Sequence, residues 1–283
     1  MALINYQNEY TRLKRLALYR PAMDEIDQRD PAISMYVERP NPELVLQEFD
    51  GVVAKLEELG IEVVVLEPTE GMEKTSNMIY LRDVAFAFRD KLLLANMKHS
   101  IRQAEPQKFK ELLVTSDTRF GDAFIALDQA ATMEGADIFA INNNLLYAYT
   151  GSRTSSNVMG FLSQDFDDIR VESIEANING VPQHILGGVH ILDGSIATRR
   201  TRYCNDAIEG YDFIDFDESE EISKGFALNI VTLSPREILM PANNPDTKSK
   251  LESCGITCHE VPVHEIHKMG GGLACMVLPL WRE

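Results

Sequence analysis

A glycine-rich stretch near the C-terminus ends in a cysteine that could act as a nucleophile. Residues 269–280 read Met-Gly-Gly-Gly-Leu-Ala-Cys-Met-Val-Leu-Pro-Leu, so three glycines precede Cys275 and an apolar run follows it. Consecutive glycines allow backbone approaches that a Cβ would block, so such a loop can lie against a ligand. A thiol there is a candidate nucleophile if its surroundings lower its pKa. Taken alone, the stretch fits better a turn before a buried strand, because free cysteines are usually structural.

Three further segments place ionisable side chains next to apolar residues. Asp83 lies within a predicted pair of apolar strands, where an unpaired carboxylate is costly, so it either meets a neighbouring arginine or faces a cleft that receives a cation. Glu134 and Asp137 flank a Gly-Ala turn at the start of an apolar strand, a common position for acids. His190 follows Gly-Gly-Val at a predicted strand mouth, where a lone histidine is more often structural. Each signal is weak by itself.

A cluster of cysteines and histidines raises the alternative of a metal site. Cys254, Cys258, His259, His264 and His267 lie within fourteen residues. Structural zinc sites usually have paired spacings such as Cys-x2-Cys, which this segment lacks. Two of its members are also neighbours on a predicted strand and therefore point to opposite faces. We expect no metal site here.

The composition excludes several classes of protein. The chain has 283 residues with 45% hydrophobic and 25% charged residues, which is typical of a globular protein. Its formal net charge of −17 argues against nucleic acid or an anionic membrane as a partner. It is compatible with a small cationic substrate. The sequence leaves a homo-oligomer open.

The cysteine usage and the apolar segments favour a cytoplasmic protein. Four cysteines, the first of them Cys204, are too few for a disulfide framework in a chain of this length. The first twenty residues lack the apolar core of a signal peptide. No apolar segment approaches the ~20 residues that span a bilayer.

Hydrophobic periodicity predicts an α/β fold. Groups of strand, strand, helix and strand recur along the chain, and no linker-like stretch divides it, so we expect one catalytic domain over residues 1–283. Strands are predicted at 16–20, 61–66, 77–88, 91–95, 145–149, 227–233, 237–241 and 256–261, and helices at 41–60, 106–114, 151–162 and 247–254.

The order of these segments resembles the guanidine-modifying enzyme superfamily, which includes arginine deiminases, dimethylarginine hydrolases, agmatine deiminases and amidinotransferases. The resemblance covers most of the chain. It rests on Arg-Pro at 20–21, Asn-Met-Ile-Tyr-Leu-Arg-Asp at 77–83, Glu-Gly-Ala-Asp at 134–137, Gly-Ser-Arg-Thr-Ser at 151–155, His-Ile-Leu-Asp at 190–193 and Gly-Gly-Gly-Leu-Ala-Cys at 270–275. It implies an α/β propeller of five strand–strand–helix–strand modules about a pseudo-fivefold axis, with the active site in the central channel.

The resemblance also implies roles for individual residues. Cys275 would be the nucleophile and His190 the general acid and base. Glu134 would orient the histidine or hold the substrate guanidinium, and Asp83 would pair with the guanidinium. Arg153 would bind the substrate α-carboxylate.

Two further residues are substrate-binding candidates. Arg102 is a weaker candidate for the α-carboxylate. Deiminases usually have His-x-Asp, whereas Asp193 lies three positions after His190, so the second guanidinium carboxylate is left open.

The implied activity is hydrolysis of a guanidine C–N bond in arginine or a derivative, through a covalent thiouronium-type intermediate and with no metal or organic cofactor. The alternatives within the superfamily are an amidinotransferase and an arginine dihydrolase, because the first half-reaction is shared. The alternative from another class is a non-catalytic, ligand-binding member. The presence together of Cys275, His190, Glu134 and Asp83 argues against it, since a scaffold needs none of them.

Overall fold

The strands form the framework of the molecule. The computed structural model describes residues 3–26, 31–70, 75, 77–126, 130–174, 184–201 and 208–283; Cys204 lies outside them. The described residues form the strands β1 (Leu13–Tyr19), β2 (Glu62–Leu66), β3 (Ala85–Phe88), β4 (Lys91–Leu94), β5 (Phe124–Ala126), β6 (Ile138–Asn142), β7 (Leu145–Tyr149), β8 (Arg170–Ile174), β9 (Val189–Ile191), β10 (Ile196–Arg200), β11 (Asp212–Phe216), β12 (Val231–Ser234), β13 (Glu237–Pro241), β14 (Thr257–Val261) and β15 (Leu278–Arg282).

Helices connect these strands. The described α-helices are α1 (Pro31–Ser34), α2 (Pro42–Glu58), α3 (Leu81–Val84), α4 (Glu105–Ser116), α5 (Val158–Asp165), α6 (Glu220–Ser223), α7 (Pro245–Ser253), α8 (His264–Lys268) and α9 (Leu273–Met276). Short 3₁₀ turns occur at Met23–Glu25, Ser100–Arg102, Thr118–Ala123, Gly135–Asp137 and Ile185–Gly187. None of the helices in the described ranges is long and apolar enough to cross a membrane.

The strands assemble into five sheets of three strands each, with one repeated pairing pattern. The sheets have the orders β15-β1-β2, β3-β4-β5, β6-β7-β8, β9-β10-β11 and β12-β13-β14. In every sheet the central strand is antiparallel to one neighbour and parallel to the other. A parallel pair needs a crossover, which α2, α4, α5 and α7 supply in four of the sheets. The predicted α/β propeller of five modules is confirmed. In the sheet β15-β1-β2, the last strand of the chain pairs with the first.

The best-predicted helix shows how local sequence determines an element. The Asn41 side chain accepts hydrogen bonds from the amides of Glu43 and Leu44 at 3.0 and 3.4 Å, and proline occupies the first turn of α2. Four apolar residues at helical spacing are buried: Val45, Phe49, Val52 and Leu56. The chain leaves the helix at Gly60, whose φ of +78° favours glycine.

Two predicted elements differ from the observed ones. The expected strand at 77–88 begins as α3, so Asp83 lies on a helical turn before β3 and not within a strand pair. The expected helix at 151–162 begins only at Val158. The residues before it form a turn, with the Gly151 amide donating to the Thr154 carbonyl at 2.9 Å. A short apolar run cannot by itself distinguish a helical turn from a strand.

In every sheet, a turn precedes the strand that is antiparallel to the central strand, which we call the first strand of the module. These five turns form the candidate site. The turns are α3 before β3, Gly135–Asp137 before β6, Ile185–Gly187 before β9, residues 227–228 before β12 and α9 before β15. Through these turns, all five modules place side chains at one position in the fold.

The packing of two turns predicts that Gly135→Ala destabilises the protein. A Cβ on Gly135 would lie 2.4 Å from the Ala85 carbonyl oxygen and 2.5 Å from that of Arg82, so backbone would have to move. We expect a loss of roughly 1–3 kcal/mol in the free energy of unfolding, measured by urea denaturation. Gly160→Ala is the control, because Gly160 lies in α5 with no atom within 4 Å of the added carbon. Equal stability of the two variants would contradict the packing.

Candidate active site

Each of the five modules contributes one polar side chain from the turn before its first strand. Asp83 lies in α3, Glu134 and His184 begin 3₁₀ turns, Asn229 lies shortly before β12, and Cys275 lies in α9. The turns pack on one another. Both α3 and the turn Ile185–Gly187 contact α9, and both contact the turn Gly135–Asp137. The five side chains come from residues that are far apart in the sequence.

His184 lies between two buried carboxylates. Its Nδ1 is 3.3 Å from Asp83 Oδ1, and its Nε2 is 2.6 Å from Glu134 Oε2. All three side chains are less than 5% exposed. Both imidazole nitrogens are therefore used by acids, in an arrangement that favours a cation between them.

The electrostatics of this triad favour a charged histidine. Burial alone would lower the pKa of His184, but the charges of Asp83 and Asp137 and the hydrogen bond with Glu134 raise it to about 9. Burial conversely would raise the pKa of Glu134, yet His184 and the charges of Arg102 and Arg153 hold it well below its usual range. The acid and the imidazolium thus stabilise each other's charged form.

His190, the histidine expected to be catalytic, lies elsewhere. It is in β9, paired with Thr198 of β10, and its Nε2 has no hydrogen-bond partner. Burial lowers its pKa to about 4. No described contact joins it to Asp83 or Glu134. The structure places His184 beside the carboxylates instead.

In the structure, His184 occupies the same place in its module as Glu134 occupies in its own. His184 directly precedes the turn Ile-Leu-Gly, as Glu134 directly precedes the turn Gly-Ala-Asp, and each turn leads into the first strand of a sheet. His190 stands six residues later, inside the strand. The equivalence of His184 and Glu134 becomes visible once the structure shows where the two turns begin.

Two arginines flank the carboxylates and compensate their charges. Arg102 Nη1 is 2.7 Å from Asp83 Oδ2, and its guanidinium also binds Glu105 at 2.9 Å. Arg153 Nη1 is 3.1 Å from Glu134 Oε2. Both arginines are buried. The structure therefore brings both predicted arginines to the site, but as partners of its acids.

Asp193 is not brought to this cluster. Its carboxylate binds Arg236 Nε at 2.6 Å and accepts from the amides of Ser195 and Ile196, both at 2.7 Å. The two amide hydrogen bonds fix the turn between β9 and β10, and the contact with Arg236 is an ion pair. The two carboxylates that the structure places together are Asp83 and Glu134.

Cys275 is held by Asn229, which sequence patterns did not indicate. Asn229 Nδ2 donates to Cys275 Sγ at 3.3 Å, and its Oδ1 accepts from the Ala274 amide at 2.6 Å. Burial raises the pKa of the Cys275 thiol to about 11, and the nearby charge of Asp83 adds to this. The hydrogen bond from Asn229 opposes the rise. A thiol with a pKa this high is protonated at neutral pH.

Two of the three glycines before Cys275 pack against protein groups. A Cβ on Gly271 would lie 2.6 Å from the Tyr80 ring, and one on Gly272 would lie 2.7 Å from the Asn229 side chain. The Gly271 amide donates to the Tyr80 hydroxyl at 3.0 Å. Gly271 and Gly272 therefore allow α9 to approach Tyr80 and Asn229.

One group in the described residues has the spacing of metal ligands. Donor atoms of Asp83, Glu134 and His184 lie within 4.8 Å of one another. Both carboxylates already bind an arginine, and both imidazole nitrogens face a carboxylate. A divalent ion would have to compete with these positive partners, whereas a planar guanidinium can share carboxylate lone pairs with them. The donor set fits an organic cation better than a metal.

Comparison with protein families supports this chemistry. The model described as "N,N dimethylarginine dimethylhydrolase, eukaryotic" matches residues 23–186, and the arginine deiminase model matches residues 208–282. The chain belongs to the first of these families, and with it to the guanidine-modifying superfamily of pentein fold. Enzymes of this class act on guanidino groups.

Individual relatives and solved structures match nearly the whole chain. The uncharacterized protein YkgA of Bacillus subtilis (strain 168) is 23% identical over 291 residues, covering 98% of this chain and 94% of its own. The amidinotransferase SxtG of Microseira wollei has a TM-score of 0.80 at 14% identity, covering 99% and 97% of the two chains. A Pseudomonas aeruginosa dimethylarginine dimethylaminohydrolase, complexed with citrulline, has a TM-score of 0.74 at 19% identity, covering 95% and 99%.

Proposed function

We propose that the protein is a cysteine-dependent hydrolase that cleaves a guanidine C–N bond of arginine or an arginine derivative. The observation that carries the proposal is the buried His184 between Asp83 and Glu134, on turns that pack with the turn bearing Cys275. A nucleophile, an acid–base group and two cation-binding carboxylates are the parts that this reaction needs.

The carboxylates would hold the substrate. A guanidinium is planar and offers forked N–H donors, which carboxylates accept in pairs. Asp83 and Glu134 would fix its plane, and Arg102 and Arg153 would hold those acids in position through their ion pairs. If Arg153 is to bind a substrate α-carboxylate, it must first leave Glu134.

The reaction would proceed through a covalent adduct. The Cys275 thiol loses its proton to the solvent when the cation binds, and the thiolate sulfur then attacks the central carbon of the guanidinium and forms a C–S bond. His184 donates its proton to the departing nitrogen as the C–N bond breaks, leaving a thiouronium-type adduct. His184 then removes a proton from water, which attacks the same carbon, and the C–S bond breaks. The products are a ureido compound and ammonia or an alkylamine, and the thiolate is regenerated.

The charge of the substrate would activate the thiol. We expect alkylation of Cys275 by iodoacetamide to be slow at neutral pH and to rise toward pH 11, since burial raises the thiol pKa to about 11. A bound guanidinium places a positive charge near the sulfur and should move this rise to lower pH. Mass spectrometry of the Cys275 peptide, with and without a slowly reacting guanidine, measures the shift. The exposed Cys254 is the internal control, and its profile should not move. An unchanged Cys275 profile would contradict substrate activation.

A substrate panel tests the proposed reaction. The protein is incubated with arginine, methylated arginines and agmatine, and ureido product, ammonia and alkylamine are measured. Ureido product with one equivalent of amine supports the hydrolase. A guanidino product that forms only when an amine acceptor is present would indicate an amidinotransferase. Formation of ornithine with two equivalents of ammonia would indicate a dihydrolase. Binding without turnover of any guanidine would indicate the non-catalytic alternative.

A further inference from the structure

A small, partly open cavity lies beside the turns that bear His184 and Cys275. Its volume is about 30 Å³, and its polar lining consists of Glu9, Arg82, His190, Thr232 and Arg282. Since a single water needs roughly 10–15 Å³ by this measure, the cavity can hold about two waters or one small ion. The rest of its wall includes Ala274 and Leu186, which neighbour Cys275 and His184 in the sequence.

Three polar atoms of this lining have no partner among the described residues. They are Arg82 Nη1, Arg282 Nε and His190 Nε2. The three residues are only 2%, 3% and 5% exposed. Buried N–H groups are nearly always hydrogen-bonded, and an unpaired guanidinium donor is among the most costly to leave unsatisfied. The two arginines therefore each offer a free donor inside the protein.

The charges around the cavity do not balance either. Arg82 Nη2 is 3.1 Å from Glu9 Oε1, and that carboxylate also binds the Tyr6 hydroxyl and the Ala140 amide. Arg282 donates to the carbonyls of Thr11 and Thr232, at 2.6 and 2.7 Å.

None of the described carboxylates pairs with Arg282. His190 is neutral at pH 7, because burial lowers its pKa. Two buried guanidinium groups thus face one carboxylate, which leaves one positive charge uncompensated. A buried charge without a counter-charge is strongly destabilising.

We propose that the cavity binds a monovalent anion of about the size of chloride between Arg82 and Arg282. Such an ion would accept hydrogen bonds from both free guanidinium donors and would supply the missing negative charge. His190, whose ring also hydrogen-bonds backbone groups of Leu228 and Leu186, completes the wall. Water could accept the same hydrogen bonds, but it would leave the charge unbalanced. The proposal is independent of the reaction at Cys275.

Thermal unfolding of the full chain tests the proposal. In sodium chloride the melting temperature should be higher than in sodium gluconate at equal ionic strength, by roughly 2–4 °C, because an ion that binds only the folded state stabilises it. Arg282→Met removes one donor and the excess charge, so the chloride-specific rise should disappear. Arg170→Met is the matched control: the Arg170 side chain is 61% exposed, and this variant should keep the rise.

Crystals of the wild-type protein grown in sodium bromide give a second, direct measurement. An anomalous peak in the cavity between Arg82 and Arg282 is the expected result. This measurement tests the proposed anion site even if the Arg282→Met variant does not fold. A cavity that contains only water, or bromide bound only at the surface, would overturn the proposal. Equal melting temperatures of the wild-type protein in chloride and gluconate would do the same.

Discussion

Replacing Cys275 by serine should reduce turnover of the guanidine substrate by at least roughly 10³-fold, because a hydroxyl is a far weaker nucleophile than a thiolate and no covalent adduct would form. Substrate binding should persist, since Asp83 and Glu134 are unchanged. The measurement is kcat with the best guanidine from the panel, together with the dissociation constant of that guanidine for the variant. Mass spectrometry of quenched reactions should show an adduct with the wild-type protein only.

Cys254→Ser is the matched control for this variant. Cys254 is exposed at the end of α7, and its thiol contacts no residue of the candidate site among its described contacts. This variant should retain full turnover. Turnover by Cys275→Ser at the wild-type rate would show that the nucleophile has been assigned to the wrong residue.

Replacing His184 by glutamine should reduce kcat/KM by roughly 10²–10⁴-fold, because the leaving amine and the attacking water would lose their acid–base group. Glutamine keeps hydrogen-bonding capacity toward the carboxylates but cannot transfer a proton at neutral pH. The pH–rate profile distinguishes this role from a structural one, because a merely structural role of His184 would leave the shape of the profile unchanged. The limb due to His184 in the wild-type profile should be absent from the variant.

His190→Gln is the comparison that separates the two histidines. His190 lies in β9 and contacts neither carboxylate in the described structure. We expect this variant to keep turnover within about tenfold of wild type, with some loss of stability because a buried residue is changed. Loss of turnover in His190→Gln alone, with His184→Gln active, would reverse the assignment.

The results for Cys275→Ser and His184→Gln together would test how the site is arranged as well as which residues belong to it. Cys275 and His184 lie on turns of different modules, and the turns touch. If both variants lose turnover while they still bind the guanidine, binding and chemistry are separate. That separation is expected because Asp83 and Glu134, and not the sulfur, supply the negative charge that attracts the cation.

The sequence by itself determined the class of fold and indicated several residues of the candidate site. The apolar periodicities at α2 and at the paired strands predicted the α/β class, and the resemblance carried by the order of the motifs implied the five-module propeller. Asp83, Glu134, Arg102 and Arg153 were selected as site residues by the resemblance to the superfamily, and the structure places them in one cluster.

Only the tertiary structure decided which histidine joins that cluster and what holds the cysteine. His184 and His190 stand six residues apart around the same Gly-Gly pair, and local polarity does not reveal that one begins a turn and the other lies in a strand. Asn229 reaches Cys275 across a separation of 46 residues. Asp193, which resembles a substrate-binding acid by sequence, binds Arg236 instead. These contacts depend on how the five turns pack about one axis, and pairwise distances of that kind are not encoded in the spacing of residues along the chain.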